Sequence, residues 1–167
     1  MGVHMLDAAL YVLGYPKSGE GDGQDVSKKL DPKNHMALLG NGIQKKFEVE
    51  DSLFGYIELE GGCLLQLETS FALNIKETSI MNVEFCGDEA GATLFPASIY
   101  TDQKGELVTI LDRKTADPDR LQKGMAAFVD KCLGKEVMVA NGREGHLILQ
   151  LIEALYQSAE KGESVTI

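Results

Sequence analysis

The first seven residues, MGVHMLD, set His4 and Asp7 three positions apart. On a helix that spacing brings two side chains to one face, and Tyr11 continues the same stripe one turn further on. An imidazole titrates in the range suited to taking a proton from a hydroxyl, and a carboxylate beside it can orient that hydroxyl. The same spacing also suits a local His–Asp hydrogen bond on a solvated helix end, so the pair alone leaves both roles open. No metal site is expected. The other histidines are His35, in a segment read as loop, and His146, on a helix surface, and no HxH or HxxxH spacing fixes two ligands on one element.

The element that must carry this pair is a helix over residues 2–13. Val3, Leu6, Leu10 and Leu13 repeat at helical spacing on the side opposite His4, Asp7 and Tyr11, and Gly14 and Pro16 stop the run. One face packs and the other presents polar groups. Residues 17–46 are rich in Gly, Asp and Lys and read as a loop, with one weak edge strand near Val26.

Alternation of period two begins after Glu48. SLFGYIELEGGCLLQLETSFAL is a hairpin turning at Glu60–Gly61–Gly62. Leu53, Ile57 and Leu59 point one way, and Cys63, Leu65, Leu67, Thr69 and Phe71 share a face of the partner strand. TSIMNVEFCG alternates again, GDEAG turns into ATLFP, and SIYTDQKGELVTILD turns at Asp102–Gly105. The run predicts five or six consecutive antiparallel strands. Two helices follow. One opens at Asp117–Pro118, carries Leu121, Met125, Phe128, Val129 and Cys132 on its apolar stripe, and ends at Gly134. The other opens with an Asn141…Glu144 capping box, repeats Leu147, Ile148, Leu151, Ile152 and Leu155, and ends at Gly162 before a short SVTI strand. The expected fold class is α+β: an open, mainly antiparallel sheet with helices packed on one face. The opposite face carries Leu64, Gln66, Glu68, Ser70, Ile80, Asn82 and Glu84, a mixture that water or a second subunit could cover.

Composition narrows the setting. The 167 residues fit a single domain, and 44% apolar with 25% charged residues is the balance of a globular protein. A formal net charge of -10 repels phosphate backbones, so nucleic acid and anionic membranes are not expected partners. No run reaches the ~20 apolar residues of a membrane span. Cys63, Cys86 and Cys132 are odd in number and form no CxxC, which points to reduced thiols and a cytoplasmic setting. A small hydrolase built on His4 would need a serine or cysteine nucleophile in a recognisable setting, and none stands out.

Four segments, taken in order, resemble one family. GVHMLDAALYVLG is similar to the helix that opens the C-terminal domain of Gfo/Idh/MocA oxidoreductases, the glucose-fructose oxidoreductase and inositol dehydrogenase group. EGGCLLQLETSFA, GDEAGATLFP and LIEALYQSAEKGESVTI match its pattern in the same order, so the resemblance covers nearly all of residues 2–167. It implies that His4 is the catalytic histidine and that Asp7 lies beside the substrate hydroxyls. Phe71, Asn74 and Lys76 would then stand where the segment after the long strand approaches the substrate. The implied chemistry is hydride removal from a carbinol carbon of a sugar or polyol to NAD or NADP.

The family's nucleotide-binding half has no counterpart here. There is no GxGxxG, and the glycine-rich GEGDGQD follows no apolar strand. The family's aspartate four residues before the histidine and its lysine motif would lie upstream of Met1. Residues 18–30 are polar where the family has an apolar strand. The expectation is therefore a substrate-binding and oligomerisation domain, dimeric through its open sheet face, with no cofactor of its own and inert alone. A free-standing ligand-binding or assembly module is the alternative.

Overall fold

The computed structural model describes residues 2–15, 32–40, 51–59, 63–113, 118–137 and 139–166. Its elements are α1 (Gly2–Leu13), β1 (Pro32–Gly40), β2 (Ser52–Leu59), β3 (Leu64–Ser70), β4 (Glu84–Cys86), β5 (Gly91–Leu94), β6 (Ala97–Gln103), β7 (Glu106–Arg113), α2 (Arg120–Cys132) and α3 (Gly142–Lys161). They fall into two compact units, Met1–Thr78 with Gly142–Ile167, and Ser79–Asn141. The fold class is α+β, with open antiparallel sheets.

In the first unit, β1, β2 and β3 form an antiparallel sheet in that order, with Ile57 opposite His35 on one side and Leu65 on the other. Alternation places Leu53, Ile57 and Leu59 of β2 and Leu67 of β3 on one face. Leu6 and Leu10 of α1 and Ile148, Leu151 and Leu155 of α3 close over them, and Leu6 and Leu151 are each 1% exposed. Burying one such side chain stabilises the fold by roughly 1.5–3 kcal/mol, which is what holds α1 and α3 to the sheet. The other face is open: Phe54, Leu64, Gln66 and Glu68 are exposed. Helix α3 begins directly after Asn141, as its capping box predicts, and ends at Gly162.

Residues 32–40 correct the loop reading, and His35 is a strand residue. The segment opens with Pro-Lys-Asn-His, a composition that reads as loop. Proline is tolerated at the first position of an edge strand, and β2 supplies the ladder partner that decides the outcome. The strand expected near Val26, the polar segment 18–30 through residue 30, the turn at Glu60–Gly62 and Asp117 lie outside the described residues.

In the second unit, β4 to β7 form a four-stranded meander. The β6–β7 turn falls at Lys104 and Gly105, both left-handed at φ 60° and 87°, the conformation of a tight hairpin turn. Asp102 Oδ1 accepts the Gly105 N–H at 3.0 Å and closes it. The expected single run of strands is divided by residues 71–83, with bends at 71–72 and 76–78. Of the alternating TSIMNVEFCG segment Glu84–Cys86 forms the strand, and the Val83 carbonyl just before it accepts the Leu94 N–H at 3.0 Å. Helix α2 starts at Arg120, with Pro118 in the preceding turn and Asp119 at its cap making no side-chain cap bond. It ends at Gly134, φ 77°. None of its residues is buried, its apolar stripe included. Periodicity shows which side chains can pack together, not what covers them. Among the described residues no helix is long and apolar enough to cross a membrane.

Candidate functional site

Helix α1 presents the chemistry because its inner face is anchored. With Leu6, Ala9 and Leu10 buried, His4 stands exposed on the first turn, Asp7 is half-buried one turn on, and Tyr11 is exposed beyond it. The helix stops at Gly14, whose φ of 81° an L side chain rarely adopts, and the Gly14 N–H returns to the Tyr11 carbonyl at 3.3 Å. The chain then folds back. Tyr15 enters the core at 8% exposure, and its hydroxyl donates to Asp7 Oδ1 at 2.9 Å. Burial pushes the phenol well above the usual tyrosine range; the bond to Asp7, the charge of that carboxylate and the charge of Glu144 push it further in the same direction.

Beside the start of α1 lies an open cleft of about 260 Å³. Gly2 and Val3 form one wall, the start of β2 and end of β3 another, and Ile152, Leu155 and Tyr156 of α3 a third. Its polar edge is a short relay. Ser52 and Ser70 are register partners, their hydroxyls 2.8 Å apart, and Ser52 Oγ reaches Asp51 Oδ1 at 3.0 Å. Ser70 Oγ also accepts the N–H groups of Ala72 and Leu73 at 3.1 and 3.2 Å, which turns the chain after β3.

That turn sets Phe71 on the lining of the same cleft as Gly2 and Val3. Asn74 and Lys76 are exposed further along the same segment and are not part of the lining. His4 and Asp7 are also outside the lining, although Val3 within it is the neighbour of His4. The structure thus groups His4, Asp7 and Tyr15 on α1 and its return, and Phe71 with the cleft. Tyr15 and the Ser52–Ser70 pair were not singled out from the sequence. The signal for Tyr15 is its place in Gly-Tyr-Pro, directly after a helix that ends on glycine.

A dinucleotide cofactor of the family's kind needs a parallel strand followed by a glycine turn and a helix whose N-terminus receives the phosphates. Every described strand pairing is antiparallel, and none leads by such a turn into a helix, so the described residues do not fit that group. Among the described residues no three His, Cys, Asp or Glu side chains are grouped to hold a metal ion.

Four likenesses bear on this chain. The pattern of an oxidoreductase family's C-terminal alpha/beta domain matches residues 1–167. D-glucoside 3-dehydrogenase of Escherichia coli K12 is 51% identical over 167 residues, 100% of this chain and 47% of that protein. Aldose-aldose oxidoreductase from Caulobacter crescentus, solved with glycerol, shares the fold with a TM-score of 0.70 at 16% identity, over 99% of this chain and 46% of its own. An oxidoreductase from Agrobacterium radiobacter, solved with NAD+, L-tartaric acid and magnesium, does so at 0.68 and 16%, over 99% and 47%. The chain spans about half the length of each of these relatives.

Proposed function

Since this chain belongs to the Gfo/Idh/MocA oxidoreductase family as its C-terminal alpha/beta domain, we propose that it is the substrate-binding half of a dehydrogenase that oxidises a secondary hydroxyl of a sugar or polyol. The observation that carries this reading is the 51% identity, over the whole chain, to a D-glucoside 3-dehydrogenase. A D-glucoside is accordingly the first substrate to test.

In this reading His4 accepts the proton of the reacting hydroxyl as the C–H bond gives up its hydride and the carbonyl forms. Its exposed place on the first turn of α1 suits a group that meets substrate at a surface shared with another domain. Asp7, one turn away, accepts a hydrogen bond from a sugar hydroxyl and fixes the carbinol carbon relative to the imidazole. Phe71 offers an apolar surface to a sugar ring, and Asn74 and Lys76 supply polar contacts from the exposed segment that follows. The hydride acceptor is NAD or NADP, held by the rest of the full-length protein, and the chemistry it contributes is two-electron acceptance. Residues 1–167 act as one domain, a homodimer through the open face of the β1–β3 sheet, in the cytoplasm.

Calorimetric titration of the 167-residue chain with NAD+ and with NADP+ tests the division of labour. No saturable heat is expected with either, and no glucoside is oxidised by the chain alone. Tight retention of a nicotinamide nucleotide, or unaided turnover, would overturn the reading. Sugar binding without turnover in the full-length protein would instead favour a non-catalytic binding module.

A further inference from the structure

Resting on the assignment of Asp7 as a substrate ligand, we propose that Tyr15 is its positioning residue: the buried hydroxyl holds Oδ1 so that Oδ2 is presented to a hydroxyl of the sugar or polyol. The geometry is specific. The donor lies 2.9 Å from Oδ1, eight residues beyond Asp7 and past the end of α1, so the contact exists only because Gly14 reverses the chain. The ring of Tyr15 belongs to the core cluster with Leu6, Leu10 and Leu151, which makes its hydroxyl a fixed donor and not a mobile surface group. Asp7 is half-buried, and its Oδ1 accepts from the Tyr15 hydroxyl.

A carboxylate turns readily about its terminal torsion and presents two equivalent oxygens. Engaging one of them selects a single orientation for the other, and binding then costs less ordering of the site. The bond also runs both ways in function. A tyrosine this deeply placed needs an acceptor for its hydroxyl, and it finds one in the carboxylate that substrate would share. The substrate ligand is thereby tied to the packed interior, whereas Tyr11, on the same helical stripe, is exposed.

The test is an NMR titration of the 167-residue chain with methyl β-D-glucopyranoside, read at His4 and Asp7. Saturable shifts at both residues are expected in the wild-type chain, with affinity weakened about five- to tenfold in Tyr15→Phe, the cost of ordering a carboxylate that is no longer held in advance. In an Asp7→Asn background the Tyr15→Phe change should have no further effect, which a role confined to folding would not produce. In Asp7→Asn alone the Tyr15 phenol should ionise at lower pH than in the wild type, a readout that stands even if Tyr15→Phe folds poorly. Equal affinity in wild type and Tyr15→Phe, or an unmoved phenol in Asp7→Asn, overturns the positioning role and leaves the function reading standing. No shift at His4 and Asp7 in the wild type removes the assignment of Asp7 itself, and the proposal with it.

Discussion

At the scale of single residues, the Asp7–Tyr15 pair makes stability depend on alkaline pH. The phenol of Tyr15 is raised above its ordinary range in the folded chain, chiefly by burial and then by Asp7 and Glu144. In the unfolded chain it ionises near its usual value of about 10. Below that pH both states hold the proton and the group contributes no pH dependence. Above it the unfolded state binds fewer protons, so the unfolding free energy falls by about 1.4 kcal/mol per pH unit until the folded phenol also ionises. Urea unfolding followed through this range should show that slope, and Tyr15→Phe should remove this component of it. An identical slope in both chains would contradict the buried, carboxylate-bonded state of Tyr15. The sequence made His4 and Asp7 legible because their relation is local, three residues on one helix. Tyr15 was not legible because its contact depends on a chain reversal at Gly14, and the Ser52–Ser70 pair was not because it depends on strand register.

At the scale of elements, the anchoring of α1 and α3 on one sheet face orients the site. Leu151, at 1% exposure in the centre of α3, should cost about 2–5 kcal/mol when replaced by alanine, measured by the urea midpoint. Leu121→Ala in α2, where the side chain is 78% exposed, should change stability by no more than about 0.5 kcal/mol. Equal costs would show that the apolar periodicity of α2 is packed after all. The comparison shows why periodicity was a good guide to one helix and not the other. In α3 the stripe coincides with the core, whereas in α2 the same spacing of Leu121, Met125, Phe128 and Val129 leaves all four exposed. Strand β1 fails in the opposite sense: its polar opening hides a strand that only the partner β2 reveals.

At the scale of the whole molecule, the proposed homodimer would form through the open face of the β1–β3 sheet. Light scattering should give twice 18.2 kDa. Leu64→Glu, a charge placed at an exposed apolar position of β3, should give the single-chain mass with an unchanged circular dichroism spectrum. A clean monomer for the wild-type chain would contradict a dimer through this face. The proposed role of His4 as proton acceptor is tested most directly in the full-length protein, by the initial rate of nicotinamide reduction with a D-glucoside. Replacing His4 by asparagine in the full-length protein should lower that rate by roughly 10²–10⁴, with the affinity for the glucoside retained. A rate equal to that of the unmodified protein would contradict it.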